Sequence, residues 1–166
     1  MVTVPFHDFW VWVEMREISM HIGGTWWFPL LHSIHVLSVC LMLGLLLMVD
    51  LRLMGLAGRQ YTVARLSADQ LPWVAVLFGV AVLTGLSLFA TRAANHVQNV
   101  AFQWKMLLLI LVGLNMLVFY WRIHRTVGQW GDWAKPPLSA RLAGLLSLLL
   151  WFGVMLSGRW IGHIFG

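Results

Sequence analysis

Two histidines stand three positions apart in HSIHVLSV, residues 32–39, inside an apolar run that extends from Trp26 to Val49. Imidazole ligates haem iron and copper, and an ionisable ring at membrane depth is costly enough to mark function. Positions i and i+3 share a helix face, so His32 and His35 are expected to look into the same part of a bundle. They cannot serve opposite faces of one porphyrin, because its plane would have to pass through their own backbone. At most one ligates a given haem iron axially, which leaves the other for a second site, a propionate or a substrate.

Counting about 1.5 Å of rise per residue inward from Trp26 puts His32 about 9 Å and His35 about 13 Å into a hydrocarbon core about 30 Å thick. At similar depth, later spans offer Lys105, Met106, Met155 and Arg159, with His96 and His163 at or just beyond the interface. Imidazole and thioether together suit haem or copper, and Lys105 or Arg159 would suit haem propionates. Simpler roles exist for each: a buried histidine can bond a carbonyl, methionine fills cores, and a cation near a span end can snorkel. Met106 and Met155 read first as core fillers, whereas two imidazoles at this depth favour a site. His96 is the exposed histidine that best fits as an extra ligand.

The elements that must position these groups are membrane helices. Of the 166 residues, 60% are hydrophobic and only 10% charged, with a mean hydropathy of +0.81, where a soluble domain carries roughly 25% charged residues. Runs of about 20 apolar residues predict spans over 26–49, 71–91, 101–121 and 142–158. Connections at about 50–70, 92–100 and 122–141 are short enough to make consecutive helices antiparallel neighbours. The expected fold class is therefore all-α, an integral membrane four-helix bundle forming one domain over 1–166. Phe6, Phe9, Trp10 and Val13 recur at helical spacing beside Asp8, Glu14, Arg16 and Glu17, so an amphipathic interfacial helix is expected over about 5–20. That opening segment lacks a basic n-region and a cleavage site, and is expected to stay in the mature chain.

Seven basic residues flank one side (Arg52, Arg59, Arg65, Arg122, Arg125, Lys135, Arg141) and four the other (Arg16, Arg92, Lys105, Arg159). The positive-inside rule then places both termini on the periplasmic side of a bacterial inner membrane. Trp26, Trp27, Trp73, Trp104, Trp121 and Trp160 fall near span ends, as in an aromatic belt. The flanking charges account for the net +5, so the bilayer is the expected partner and nucleic acid is not. The lone Cys40 rules out an internal disulfide, and without C-x-x-C-H there is no covalent haem attachment. Small-residue pairs at a spacing of four (Ala75/Gly79, Ala81/Gly85, Ala140/Gly144, Gly153/Ser157) suit close helix approach, and Asn115 should bond a neighbouring helix. Asp50 and Arg52 cannot face each other at a spacing of two. Asp50 is expected to pair with Arg122, Arg125 or Arg141, and Arg52 with lipid phosphate, as a packing anchor rather than a proton relay.

The segments HVLSVCLMLGLLLMVDLRLMGL, LPW, TG, NVAFQWKMLLL, GLN and GRW resemble, over about 26–160, a family of small uncharacterised bacterial four-helix membrane proteins. More distantly, the layout is similar to the copper-resistance D domain and to the haem-dependent protoporphyrinogen oxidase. In the oxidase a first-helix histidine, a glycine, a basic residue at the inner end and a third-helix lysine recur. His35, Gly44, Arg52 and Lys105 occupy similar places, while MVDLR stands where the oxidase has an aromatic-proline-arginine sequence. The resemblance implies a b-type haem bound through His35, with Lys105 near substrate or propionates.

Together these readings predict an inner-membrane protein with haem b in its outer half, acting in electron transfer or as a small-molecule redox site. His35 is the expected ligand, with the sixth position open or filled by a weak ligand such as Met155, Lys105 or another histidine. The alternatives are a copper-handling protein using His32, His35 and nearby Met residues, or a cofactor-free subunit of a larger respiratory complex. Other subunits of a redox complex or a second copy of the chain are the further partners expected.

Overall fold

The computed structural model describes residues 6–58, 60–123 and 136–164. Its regular elements are α1 (His7–Glu14), α2 (Glu17–Gly24), α3 (Trp27–Met54), α4 (Val63–Ala90), α5 (Ala93–Gln98), α6 (Val100–Val118) with a π-helical turn at Phe119–Ile123, and α7 (Leu138–Ile164). The described residues contain no strand. Four of the helices are long and apolar enough to cross a membrane, over Trp27–Met54, Val63–Ala90, Val100–Trp121 and Leu138–His163. The chain is a multi-pass membrane protein, and four crossings put the start of α3 and the end of α7 on the same side.

Local chemistry sets where the helices start and stop. Pro29 sits in the first turn of α3, where its missing N–H is no loss. Gly55, at φ +75°, ends that helix in a Schellman turn: its N–H donates to the Arg52 carbonyl and the Leu56 N–H to that of Leu51, each at 3.0 Å. Thr62 caps α4 by accepting from the Arg65 N–H at 3.2 Å. The helix thus begins well before the expected residue 71 and carries Pro72 in its interior, as spans can when neighbours satisfy the freed carbonyl. The polar Arg65 and Asp69 obscured this first stretch in the sequence; they face outward, while Val63, Leu66 and Ser67 are buried. The expected interfacial helix is instead two helices, broken at Met15 and Arg16.

In space the spans adjoin in the order α4, α3, α7, α6, so α3 and α7 form the centre. Met42, Val74, Trp151 and Val154 fill the middle, with Leu108 and Val112 of α6 against them. Val49, Leu53, Val63, Leu66 and Ala140 fill the end near the α3–α4 connection. α1 packs on α5, and its Trp10 meets Phe89 at the end of α4 edge-on at 5.7 Å. Asn99 caps α6, accepting from the Ala101 and Phe102 N–H groups, and donates from Nδ2 to the Ile161 carbonyl of α7 at 3.0 Å. The expected interhelical bond of Asn115 is present, from Nδ2 to the Ala143 carbonyl at 3.2 Å.

Three of the four small-residue pairs lie at helix contacts. A Cβ on Gly144 would come within 3.0 Å of the Asp50 carbonyl oxygen, one on Gly153 within 3.0 Å of Leu108, and one on Gly85 within 3.1 Å of the His35 ring. The pair Ala75/Gly79 is the exception, since both are exposed and a Cβ on Gly79 meets nothing. Gly144→Ala should therefore lower the stability of the detergent-solubilised protein by about 1–3 kcal/mol, the usual cost of overpacking. Gly79→Ala should be neutral or slightly stabilising. Thermal unfolding of the two variants beside the parent checks this.

Candidate functional site

The apolar face of α3 that meets α4 carries one polar ring. His35 is half-buried, and its Nδ1 lies 2.9 Å from the Ala81 carbonyl oxygen and 3.1 Å from Thr84 Oγ1, both on α4. A carbonyl only accepts, so Nδ1 carries the hydrogen and donates. The Thr84 hydroxyl spends its own hydrogen on the Val80 carbonyl at 2.7 Å, which leaves its oxygen free to accept from the ring. In the neutral imidazole, Nε2 then holds the lone pair. No hydrogen bond engages Nε2 among the described residues. A ring held through Nδ1–H by a backbone carbonyl, with Nε2 left over, is the arrangement that orients histidines as metal ligands.

The space for the ring comes from α4. Gly85 has no side chain where a Cβ would stand 3.1 Å from His35 Cε1, and Ala81 is small enough for α3 to approach. On the far side, Lys105 of α6 is half-buried and runs beside Gly158 of α7, where a Cβ would lie 3.9 Å from its Cδ, Cε and Nζ atoms. Its ammonium is near enough for its charge to act on the His35 imidazole.

The other sequence candidates lie elsewhere. His32 also acts electrostatically on His35, but it is exposed, with its ring parallel to that of Phe28 at 6.5 Å. Met155 and Arg159 are exposed on α7, and Met106 is exposed on α6. His96 is half-buried on α5, donating from Nδ1 to the Arg92 carbonyl at 2.7 Å, with its ring edge-on to Phe89 and Phe102. Of the residues singled out by resemblance, Gly44 is exposed, and Arg52 is buried with its Nε donating to the Tyr61 carbonyl at 2.7 Å. Arg52 therefore anchors the α3–α4 connection instead of reaching lipid phosphate. Asp50 is buried with its Oδ2 unpaired, while Arg141, one of its expected partners, is exposed. Arg125 and the Arg122 side chain lie outside the described residues.

Ala81, Thr84 and Gly85, which hold His35, were visible in the sequence only as a small-residue pair and the dipeptide TG. Nothing in either feature tied them to the histidine. Among the described residues no three His, Cys, Asp or Glu side chains come together as a metal-binding group. Where α3 begins and α4 ends, a crevice of about 310 Å³ lined by Glu14, Ser19, Phe28, Thr91 and Arg92, among others, opens beside the N-terminal helices. His35 is not part of its lining.

The model of a family of unknown function, DUF6644, matches residues 9–164. The chain belongs to that family. Comparisons with curated proteins and with solved structures return no match.

The tautomer of His35 can be read directly. In protein labelled with ¹⁵N-histidine, long-range ¹H–¹⁵N spectra should show one ring locked with hydrogen on Nδ1 and none on Nε2. Gly85→Ala should release or shift that signal, because the ring must leave the space the new methyl takes. A His35 ring averaging between tautomers in the parent protein would contradict the geometry.

Proposed function

We propose that this DUF6644 protein binds one b-type haem through His35 and serves electron transfer or small-molecule redox chemistry in a bacterial inner membrane, with both termini periplasmic. The observation that carries the reading is the His35 imidazole, tied at Nδ1 to a backbone carbonyl and a hydroxyl of α4 with Nε2 left unbonded. The donor set suits haem better than protein-bound copper. A haem brings four nitrogens of its own and needs one strong protein ligand, whereas copper draws its ligands from the protein; among the described residues no three His, Cys, Asp or Glu side chains form a group, and Met106 and Met155 are exposed. Met155, offered by the sequence as a sixth ligand, is exposed on α7, so the reading takes His35 as the protein ligand.

When bound, the haem supplies one-electron redox chemistry. The chain's own residues do the rest. His35 would hold it through Nε2, and the Ala81 carbonyl and Thr84 hydroxyl fix the ring's orientation and would raise its basicity. Gly85 admits the ring between the helices. Lys105 supplies a cation close to His35, suited to a propionate or an anionic substrate. The apolar helices around it limit solvent access and so bear on the potential.

A second reading, a cofactor-free subunit of a membrane complex, is supported by the exposed apolar surface of α6, which buries none of its most apolar stretch within the chain. The dithionite-reduced minus oxidised absorption spectrum of protein expressed with ample haem separates the two. The haem reading expects b-type bands, lost in His35→Ala and kept in His32→Ala. A folded protein without a Soret band, in which His35→Ala alters only stability or assembly, would support the subunit instead.

A further inference from the structure

The crevice beside the N-terminal helices gathers charged groups of both signs, and the proposed haem chemistry does not use it. Its lining joins the Glu14 carboxylate to the Arg92 guanidinium, with Met15, Met20 and Phe28 as apolar wall. A volume of about 310 Å³ holds a group of several heavy atoms, since one water takes only about 30 Å³.

Contacts between elements fix the walls. Ser19 Oγ, itself buried, donates to the Val13 carbonyl at 2.9 Å and ties α2 to α1. The Ala94 N–H of α5 donates to Glu14 Oε2 at 3.3 Å, which holds the carboxylate beside the segment that carries Arg92. α2 closes against the end of α4 at Gly23, where a Cβ would lie 3.4 Å from Thr91 Cβ. The two charges nevertheless leave each other unsatisfied. Among the described residues Glu14 and Arg92 form no ion pair, the guanidinium has no hydrogen-bond partner, and Glu14 Oε1 takes no hydrogen bond. A carboxylate and a guanidinium that share a crevice without pairing complement a ligand that carries both an anion and an ammonium.

We propose that this crevice binds the headgroup of a phospholipid of the phosphatidylethanolamine class, with its phosphate on Arg92 and its ammonium on Glu14. Position and charge decide the occupant. The crevice lies where the apolar spans α3 and α4 end, which is the level of lipid headgroups. Guanidinium grips phosphate through paired N–H donors, and a primary ammonium offers N–H donors to a carboxylate. The quaternary ammonium of choline has none to offer, and a glycerol headgroup brings no cation for Glu14. Met15 and Met20, both exposed, give the glycerol and upper acyl carbons an apolar surface.

The test uses the full chain, delipidated in detergent and titrated separately with short-chain phosphatidylethanolamine, phosphatidylcholine and phosphatidylglycerol. Native mass spectrometry reads binding, and the thermal midpoint reads the linked stabilisation. The parent should bind one phosphatidylethanolamine about tenfold more tightly than either other lipid, the worth of one charge-assisted hydrogen bond. Net charge alone would give a different order, since a chain of +5 attracts the anionic phosphatidylglycerol. Glu14→Gln, which keeps an oxygen for the Ala94 N–H, should erase the preference over phosphatidylcholine. Arg92→Gln, at an exposed position, should fold and weaken all three lipids about tenfold. His35→Ala should keep the preference, which separates this site from the haem reading. Free phosphoethanolamine, with the same charges and no acyl chains, should bind more weakly than the lipid. Equal affinity for the three lipids in the folded parent, or a preference that survives Glu14→Gln, would overturn the proposal. So would free phosphoethanolamine binding as tightly as the lipid, since the ligand would then be a soluble zwitterion.

Discussion

Inside a bilayer no water is at hand to complete a hydrogen bond, so each polar group must find its partner on the protein or cost several kcal/mol. α3 lies under that constraint along its whole length, because it sits between α4 and α7 and carries His35, Ser38, Asp50 and Arg52 inward. Its solution is to approach its neighbours at their smallest residues. Against Ala81 and Gly85 it brings the His35 ring to an α4 carbonyl; against Gly144 it brings its own backbone, and Asp50 with it, to α7. Small residues at these crossings are the usual currency of membrane helix packing, where close contact replaces the hydrophobic effect as the source of association. Here the same contacts set the geometry of both polar groups.

The number of spans, their antiparallel order and the Asn115 bond to α7 were legible because they rest on apolar run length and on a polar residue isolated in such a run. Helix limits were less so. The first two turns of α4 carry Arg65 and Asp69 on their outer side, and a running hydropathy average cannot see that Val63, Leu66 and Ser67 are buried on the other. The two histidines show the limit of spacing rules. Three residues turn a helix by about 300°, so His32 and His35 point about 60° apart. That is enough for one ring to meet α4 and the other to lie exposed beside Phe28. Which of the two faces inward depends on where α4 sits, and no local pattern in α3 encodes it. The burial of Asp50 was equally hidden, because residues near a span end read as solvated when their helix neighbours are unknown.

The two halves of the bundle differ in what they offer. In one half, the outer one by the proposed orientation, the His35 imidazole is oriented by α4 and Lys105 of α6 lies half-buried. In the other half Asp50 and Ser67 are buried. Between them, Met42, Val74, Trp151 and Val154 form an apolar layer that separates the two polar environments.

The most direct test of the haem assignment is the resonance Raman spectrum of the haem-loaded protein in its ferrous state, since it reports the iron–histidine bond itself. The account predicts an iron–imidazole stretching band that is absent in His35→Gly and returns when free imidazole is added to that variant, while His32→Gly leaves it in place. A band that survives the loss of His35, or a protein that takes up no haem while fully folded, would contradict it.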